Sequence, residues 1–379
     1  MLTRALYFVT RHYGQAQGGL GLYEESLLPW LQRKGNIRQI EIKPLSIPRR
    51  LVSIAALMGT DLAAVAQNYP CRLDPVPEDA IVHLSNQNLA LASLANRLPA
   101  SIITVHDVIP YIHLPGHQPL SVAGGPVERL LIRINAIGIR RATRVVADSQ
   151  CTKNDLIRSL HIASNKIDVI PLGLDHNLFR PMKVPREFCR RYGLRGDEQY
   201  ILYVGSQEPR KNLRTLCAAV GKVVTTVPQA RLLLVGRQGT PEQESSLARW
   251  IQEAGLAKRT RRIPFVPLPD LPLMYNISTV LAFPSWYEGF GMPPLEAMAC
   301  GCPVVASNTS SIPEVVGDGG ILVDPREVDA FAAALSRVLT DKNLRQELRT
   351  RGIARAKLFT WERTADETIK VYRKVMEQG

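Results

Sequence analysis

Ser285-Trp286-Tyr287-Glu288-Gly289-Phe290-Gly291-Met292-Pro293-Pro294-Leu295-Glu296-Ala297 joins an apolar run at 280–283 to a segment with helical spacing. Two prolines stand at the first helical positions, where a missing N–H costs nothing. The two glycines before them let backbone approach a ligand, and the helix start points N–H groups and a positive dipole end at the same spot. That combination suits a phosphate. Glu288 and Glu296 do not, because like charges repel. They suit the vicinal hydroxyls of a sugar or ribose, each charged hydrogen bond contributing about 1.5–3 kcal/mol. The plainer alternative is a glycine-rich turn with one helix-capping glutamate.

Outward from this stretch the same strand, turn and helix unit repeats. Apolar runs at 5–9, 38–42, 80–84, 101–105 and 144–147, then at 200–204, 231–235, 280–283, 303–306 and 321–323, each lead through a turn into a helical pattern. Residues 212–227 place Leu213, Leu216, Ala219, Val220 and Val223 on one face, and Pro228 stops them. The pattern predicts an α/β protein with two parallel sheets, each covered on both faces. Val169-Ile170-Pro171-Leu172-Gly173 breaks the period and Pro181 and Pro185 follow, so the hinge is expected there. Two such domains create a cleft, with ligands at the carboxyl ends of the strands.

Gly205-Ser206-Gln207-Glu208-Pro209-Arg210-Lys211-Asn212 follows the run at 200–204. A guanidinium grips two phosphate oxygens and a lysine adds a point charge, so Arg210 and Lys211 could neutralise a diphosphate and the charge that grows as it leaves. Read alone, such a pair before a helix is more often solvated; beside the 285–297 stretch the phosphate reading takes over. Asn212 fits a helix N-cap. Gln17-Gly18-Gly19-Leu20-Gly21 forms a turn after the first strand without matching G-x-G-x-x-G. His106-Asp107 ends the run at 101–105, where the ring could bond a sugar hydroxyl or carry a proton. The stretch 129–144 is basic and amphipathic, which fits an anionic membrane surface as well as a solvated outer helix.

Bulk properties mainly exclude. With 379 residues the chain reads as two domains of about 180 residues each. No apolar run approaches the roughly 20 residues of a membrane span. Residues 2–10 read as a buried strand rather than a signal peptide, which puts the protein in the cytoplasm. The net charge of +13 is spread evenly, +6 in residues 1–180 (19 Lys+Arg, 13 Asp+Glu) and +7 beyond (28, 21). With 6% aromatic residues and no recognised module, nucleic acid is not expected as a partner. The six cysteines fit reduced thiols; neither Cys300-x-Cys302 nor His83, His113 and His117 match a metal-ligand spacing. The P-loop, nucleophile-elbow and H-E-x-x-H patterns are absent, which removes the usual support for kinase, hydrolase and metalloprotease readings.

Taken in this order, the motifs resemble the retaining glycosyltransferases of family 4, which have the GT-B fold of two Rossmann-like domains. The resemblance covers nearly the whole chain. Residues 288–296 match its E-x7-E motif, Arg210, Lys211 and Asn212 its G-x-x-x-x-R-K-N, and 147–156 and 169–181 its interdomain stretches. Residues 304–306 and 312–315 match its last ligand-facing turns. The resemblance implies an acceptor-binding domain over 1–172, a nucleotide-sugar domain over 173–360 and a helix over 361–379 that crosses back. It implies that Arg210 and Lys211 hold the diphosphate while Gly18 and Gly19 approach it from the first domain. Glu288, His106 and the Gly289-Phe290-Gly291-Met292 backbone would meet the transferred sugar, Glu296 the ribose, and Phe265 and Val266 the base. His106, Arg210, Lys211 and Glu288 would form the catalytic set.

Glu208-Pro209-Arg210-Lys211-Asn212-Leu213 resembles the wording of mannosyltransferases in this family, so GDP-mannose is the expected donor. The donor is a co-substrate, and no metal or cofactor is implied. Retention would follow from a same-face displacement in which the leaving diphosphate helps deprotonate the acceptor. The acceptor, a glycan, a lipid-linked sugar or a small metabolite, is not encoded in any motif. A nucleotide-sugar epimerase of the same fold and a non-catalytic nucleotide-sugar or nucleic-acid binding module are the competing readings.

Overall fold

The computed structural model describes residues 4–11, 19–43, 70–96, 98–112 and 126–378. Gly18, His113 and His117 lie outside the described residues. The chain divides into two compact units, Met1–Gly173 with Trp361–Gly379, and Leu174–Thr360.

In the first unit β1 (Leu6–Thr10), α1 (Gly19–Lys34), β2 (Ile37–Glu41), β3 (Ile81–Leu84), α2 (Ala90–Ala95) and β4 (Ala100–Val105) precede α3 (Pro126–Arg141), β5 (Arg144–Ala147), α4 (Gln150–Leu160) and β6 (Ile167–Val169). All pairings are parallel, in the order β2-β1-β3-β4-β5-β6. Every residue of β3 and β4 is buried, as expected of inner strands covered on both faces. The order reverses between β1 and β3, the kind of switch point where open sheets form a crevice. The helix Trp361–Glu377 belongs to this unit. Its Tyr372 hydroxyl meets His83 Nδ1 at 2.7 Å and Thr364 donates to Pro171 O, so it is fastened to the sheet by buried polar bonds as well as by its apolar stripe.

The second unit runs α5 (Arg186–Tyr192), β7 (Gln199–Val204), α6 (Leu213–Thr226), β8 (Ala230–Val235), α7 (Pro241–Glu253), β9 (Thr260–Ile263), α8 (Leu271–Ile277) and β10 (Val280–Phe283). It ends with α9 (Met292–Ala299), β11 (Val304–Ser307), α10 (Ile312–Val316), β12 (Ile321–Val323), α11 (Val328–Thr340) and α12 (Lys342–Ala356). The parallel order is β12-β11-β10-β7-β8-β9, the doubly wound arrangement of a dinucleotide-binding domain. Its switch point lies between β7 and β10. Ile201, Leu202, Leu281, Ala282 and Phe283, in the two strands flanking that point, are fully buried. The loops that follow β7 and β10 therefore leave a rigid floor side by side.

Two strands went unread in the sequence. β6 is Ile-Asp-Val and β9 is Thr-Arg-Arg-Ile, both at sheet edges. Arg261 and Arg262 are exposed on β9, and charge on an edge strand blocks edge-to-edge pairing while hiding the apolar run.

Candidate active site

The loop after β7 makes a single turn at Pro209–Lys211, and Trp286 N–H of the loop after β10 donates to Arg210 O at 2.7 Å. This tie sets three side chains against one another. Glu288 accepts from Lys211 Nζ on Oε1 at 2.7 Å and from Arg210 Nη1 on Oε2 at 2.8 Å. Arg210 Nε also meets Glu208 at 2.7 Å, and Lys211 Nζ stands 5.4 Å over the Phe283 ring. Burial alone would raise the Glu288 carboxyl, yet Lys211 and Arg210 hold it below the usual carboxylate range. Burial likewise pulls the Lys211 ammonium down, with Glu288 opposing. Two cations and two carboxylates, Glu208 and Glu288, thus balance in one cluster at the switch point.

Asn212 does stand at the start of α6, but it does not cap it. Its backbone is left-handed, φ 56°, and its side-chain amide donates to Pro284 O and Pro325 O instead. Both carbonyls stand where a loop leaves the sheet, and Pro325 O accepts from the Thr215 hydroxyl as well, so the side chain is recruited across rather than along the helix.

Hydroxyls that the sequence reading missed shape the loop 285–291. Ser310 Oγ accepts from Glu288 N–H, Ser311 Oγ reaches both Glu288 O and Phe290 O, and Thr309 Oγ1 reaches Ser285 O and Trp286 O. Gly291 has φ 120°, and a Cβ there would stand 2.8 Å from Ile312 Cδ1, so only glycine fits the turn into α9. Phe290 is buried with its ring 5.9 Å from that of Phe359, so backbone is what this part of the loop offers a ligand. Glu296 lies on α9 past the proline start, 6% exposed, with Oε2 accepting from Tyr275 at 2.6 Å. No bond links it to the Arg210–Glu288–Lys211 cluster. Phe265 and Val266 follow β9 at the same carboxyl edge of the sheet. Phe265 is 69% exposed and borders a cavity of about 400 Å³ shared with Val204, Gly236, Arg237 and Pro264.

In the first unit, Gly19 opens α1 and has open space where a Cβ would stand. His106 follows β4. Its Nδ1 lies 2.6 Å from Asp148 and its Nε2 3.1 Å from Ser85 O. Since a carbonyl only accepts, Nε2 carries a proton, and the short bridge to Asp148 holds another. Burial would strip His106 of charge, but Asp148 outweighs it and carries the ring above the ordinary histidine value. Both nitrogens are thus engaged inside the unit, and the pair shows a fixed polar group rather than a free hydroxyl acceptor. At this unit's switch point the fully buried Glu24 accepts from Arg11 N–H and from Ser85 Oγ. In sequence it reads as one of two adjacent helix-surface acids and gives no signal.

Among the described residues, no group of three or more His, Cys, Asp or Glu side chains could hold a metal ion. Among the same residues no helix is long and apolar enough to cross a membrane.

Two family models match, "Glycosyltransferase Family 4" over 28–178 and "Glycosyl transferases group 1" over 186–355. The O-antigen chain mannosyltransferase B of Escherichia coli is 32% identical over 74% of this chain and 72% of its own. This chain belongs to the family 4 glycosyltransferases. A D-inositol 3-phosphate glycosyltransferase of Segniliparus rotundus is 30% identical over 72% of this chain and 62% of its own. Sucrose-phosphate synthase of Thermosynechococcus elongatus shares the GT-B fold at 23% identity, with TM-score 0.75 over 99% of this chain and 100% of that one. The Anabaena protein HepE, solved with UDP and glucose, aligns at 20% identity and TM-score 0.69 over 97% and 99%. Membership in the family makes the chain a glycosyltransferase.

Proposed function

We propose that this glycosyltransferase moves a hexose, mannose from GDP-mannose, onto a glycan or lipid-linked acceptor with retention of configuration and without a metal. The reading is carried by the Arg210–Glu288–Lys211 cluster at the switch point of the second unit. The cluster is neutral before a donor arrives, so a diphosphate has to take the cations over from Glu288. Once displaced, Glu288 is next to the phosphate and free to accept from sugar hydroxyls. One exchange therefore loads the phosphate site and delivers the carboxylate. As the sugar bond breaks, charge grows on the diphosphate against a lysine and an arginine already aimed there. The backbone of 289–292, held by Ser310 and Ser311, would steady the sugar, and Phe265 with Val266 would border the base. His106, kept charged by Asp148, would present a fixed cation to the transferred group. Retention would follow from same-face displacement, with the departing diphosphate taking the acceptor proton.

The mannose assignment is supported by the Escherichia coli relative and by the Glu208–Leu213 wording. A panel of nucleotide sugars, read by release of nucleoside diphosphate and by NMR of the product anomer, tests it. Arg210→Ala and Glu288→Gln should each lower kcat by about 100-fold or more. Wild-type rates in both would remove the reading.

Peripheral membrane contact at the inner face, for a cytoplasmic protein, is supported by α3. Leu130 is 56% and Ile137 41% exposed there, beside exposed Arg129, Arg133 and Arg141. Co-sedimentation should rise with the anionic content of liposomes; indifference to it would exclude the contact.

A further inference from the structure

The Tyr275 hydroxyl occupies one oxygen of Glu296, Oε2, at 2.6 Å. Among the described residues no partner is found for the other oxygen, Oε1. Tyr275 is fully buried on α8, with the Phe179 ring set edge-on at 6.3 Å, so its hydroxyl has a single direction to point. We propose that Tyr275 is a positioning residue for the donor: by holding Oε2 it presents Oε1 of Glu296 to the vicinal hydroxyls of a ribose. This rests on the reading of Glu296 as the ribose carboxylate.

A carboxylate this deep is costly unless its charge is hydrogen-bonded. The titratable groups about it are Tyr275 and the thiols of Cys300 and Cys302, which burial keeps uncharged near pH 7, with Arg349 acting on Cys302. No basic side chain perturbs Glu296 itself. Burial pushes its carboxyl up to about 7, and the Tyr275 bond is the one influence acting the other way. Losing that hydroxyl would leave the carboxyl protonated at neutral pH and free to turn.

Titration calorimetry with GDP and its 2′,3′-dideoxy counterpart, and with the matching uridine pair, tests this on the full chain. Wild type should prefer the ribonucleotide. Tyr275→Phe, which keeps the ring, should weaken the ribonucleotide about tenfold at pH 7, recover much of that loss at pH 9, and leave the dideoxy nucleotide unchanged. In a Glu296→Gln background the same change should have no further effect on the preference. An unchanged ribonucleotide affinity, an equal loss for both nucleotides, or an additive double variant would overturn the role of Tyr275. A wild type that binds both forms alike would remove Glu296 as the ribose carboxylate, and Tyr275 with it. A wild type that binds neither pair would instead count against the donor reading as a whole.

Discussion

Glu288 and Glu296 stand eight residues apart and live in opposite electrostatic surroundings. Both are buried, but Glu288 has two cations and is held low, whereas Glu296 has one neutral donor and is carried up to about 7. The difference bears on stability. Burial lifts Glu296 in the folded state above the ordinary carboxyl value of 4.5, so its contribution is full below about pH 4.5 and is lost as pH rises through about 7. The loss across that window is about 3 kcal/mol. Glu296→Gln should flatten it, so urea midpoints of wild type and variant should converge at pH 5 and separate by pH 8, with the variant the more stable. Parallel pH profiles would show that burial is not what sets this carboxyl.

At the scale of elements, the loop from β10 to α9 is held from outside by the turn before α10. Ser311→Ala removes both of its hydroxyl's bonds, to Glu288 O and Phe290 O, and should cost about 1–3 kcal/mol of stability. It should also lower kcat while nucleotide affinity falls less, because the sugar-facing backbone loosens and the phosphate cluster does not. A variant with wild-type kcat would show that the loop holds itself. The sequence foretold the strand–turn–helix order, because inner strands are unbroken apolar runs and glycine and proline mark the turns; it singled out Arg210, Lys211 and Glu288 without showing that they pair with one another. It did not show Ser311, Tyr275 or Glu24. Their partners lie 13 to 61 residues away, and a serine or a glutamate looks the same whether it faces water or a distant carbonyl or amide. Asn212 misled for a related reason, since its best partners are across the sheet rather than along its own helix.

For the whole molecule, the decisive topological fact is where the second unit starts and stops. Leu174 donates to Phe359 O and pairs with Thr360 as an isolated parallel bridge. The chain thus passes into and out of the unit at one place, side by side, and the excursion between carries its own six-stranded sheet and core. Residues 174–360 form a contiguous cassette whose two ends lie side by side. Cut out and expressed alone, it should fold and retain nucleoside diphosphate binding by calorimetry, whereas loss of all binding would mean that the first unit supplies essential contacts. Because both ends meet, the cassette could be exchanged between chains of this kind without stretching either junction. Donor preference would then travel as one contiguous stretch of gene, leaving the other unit, with its split ends, in place to receive it.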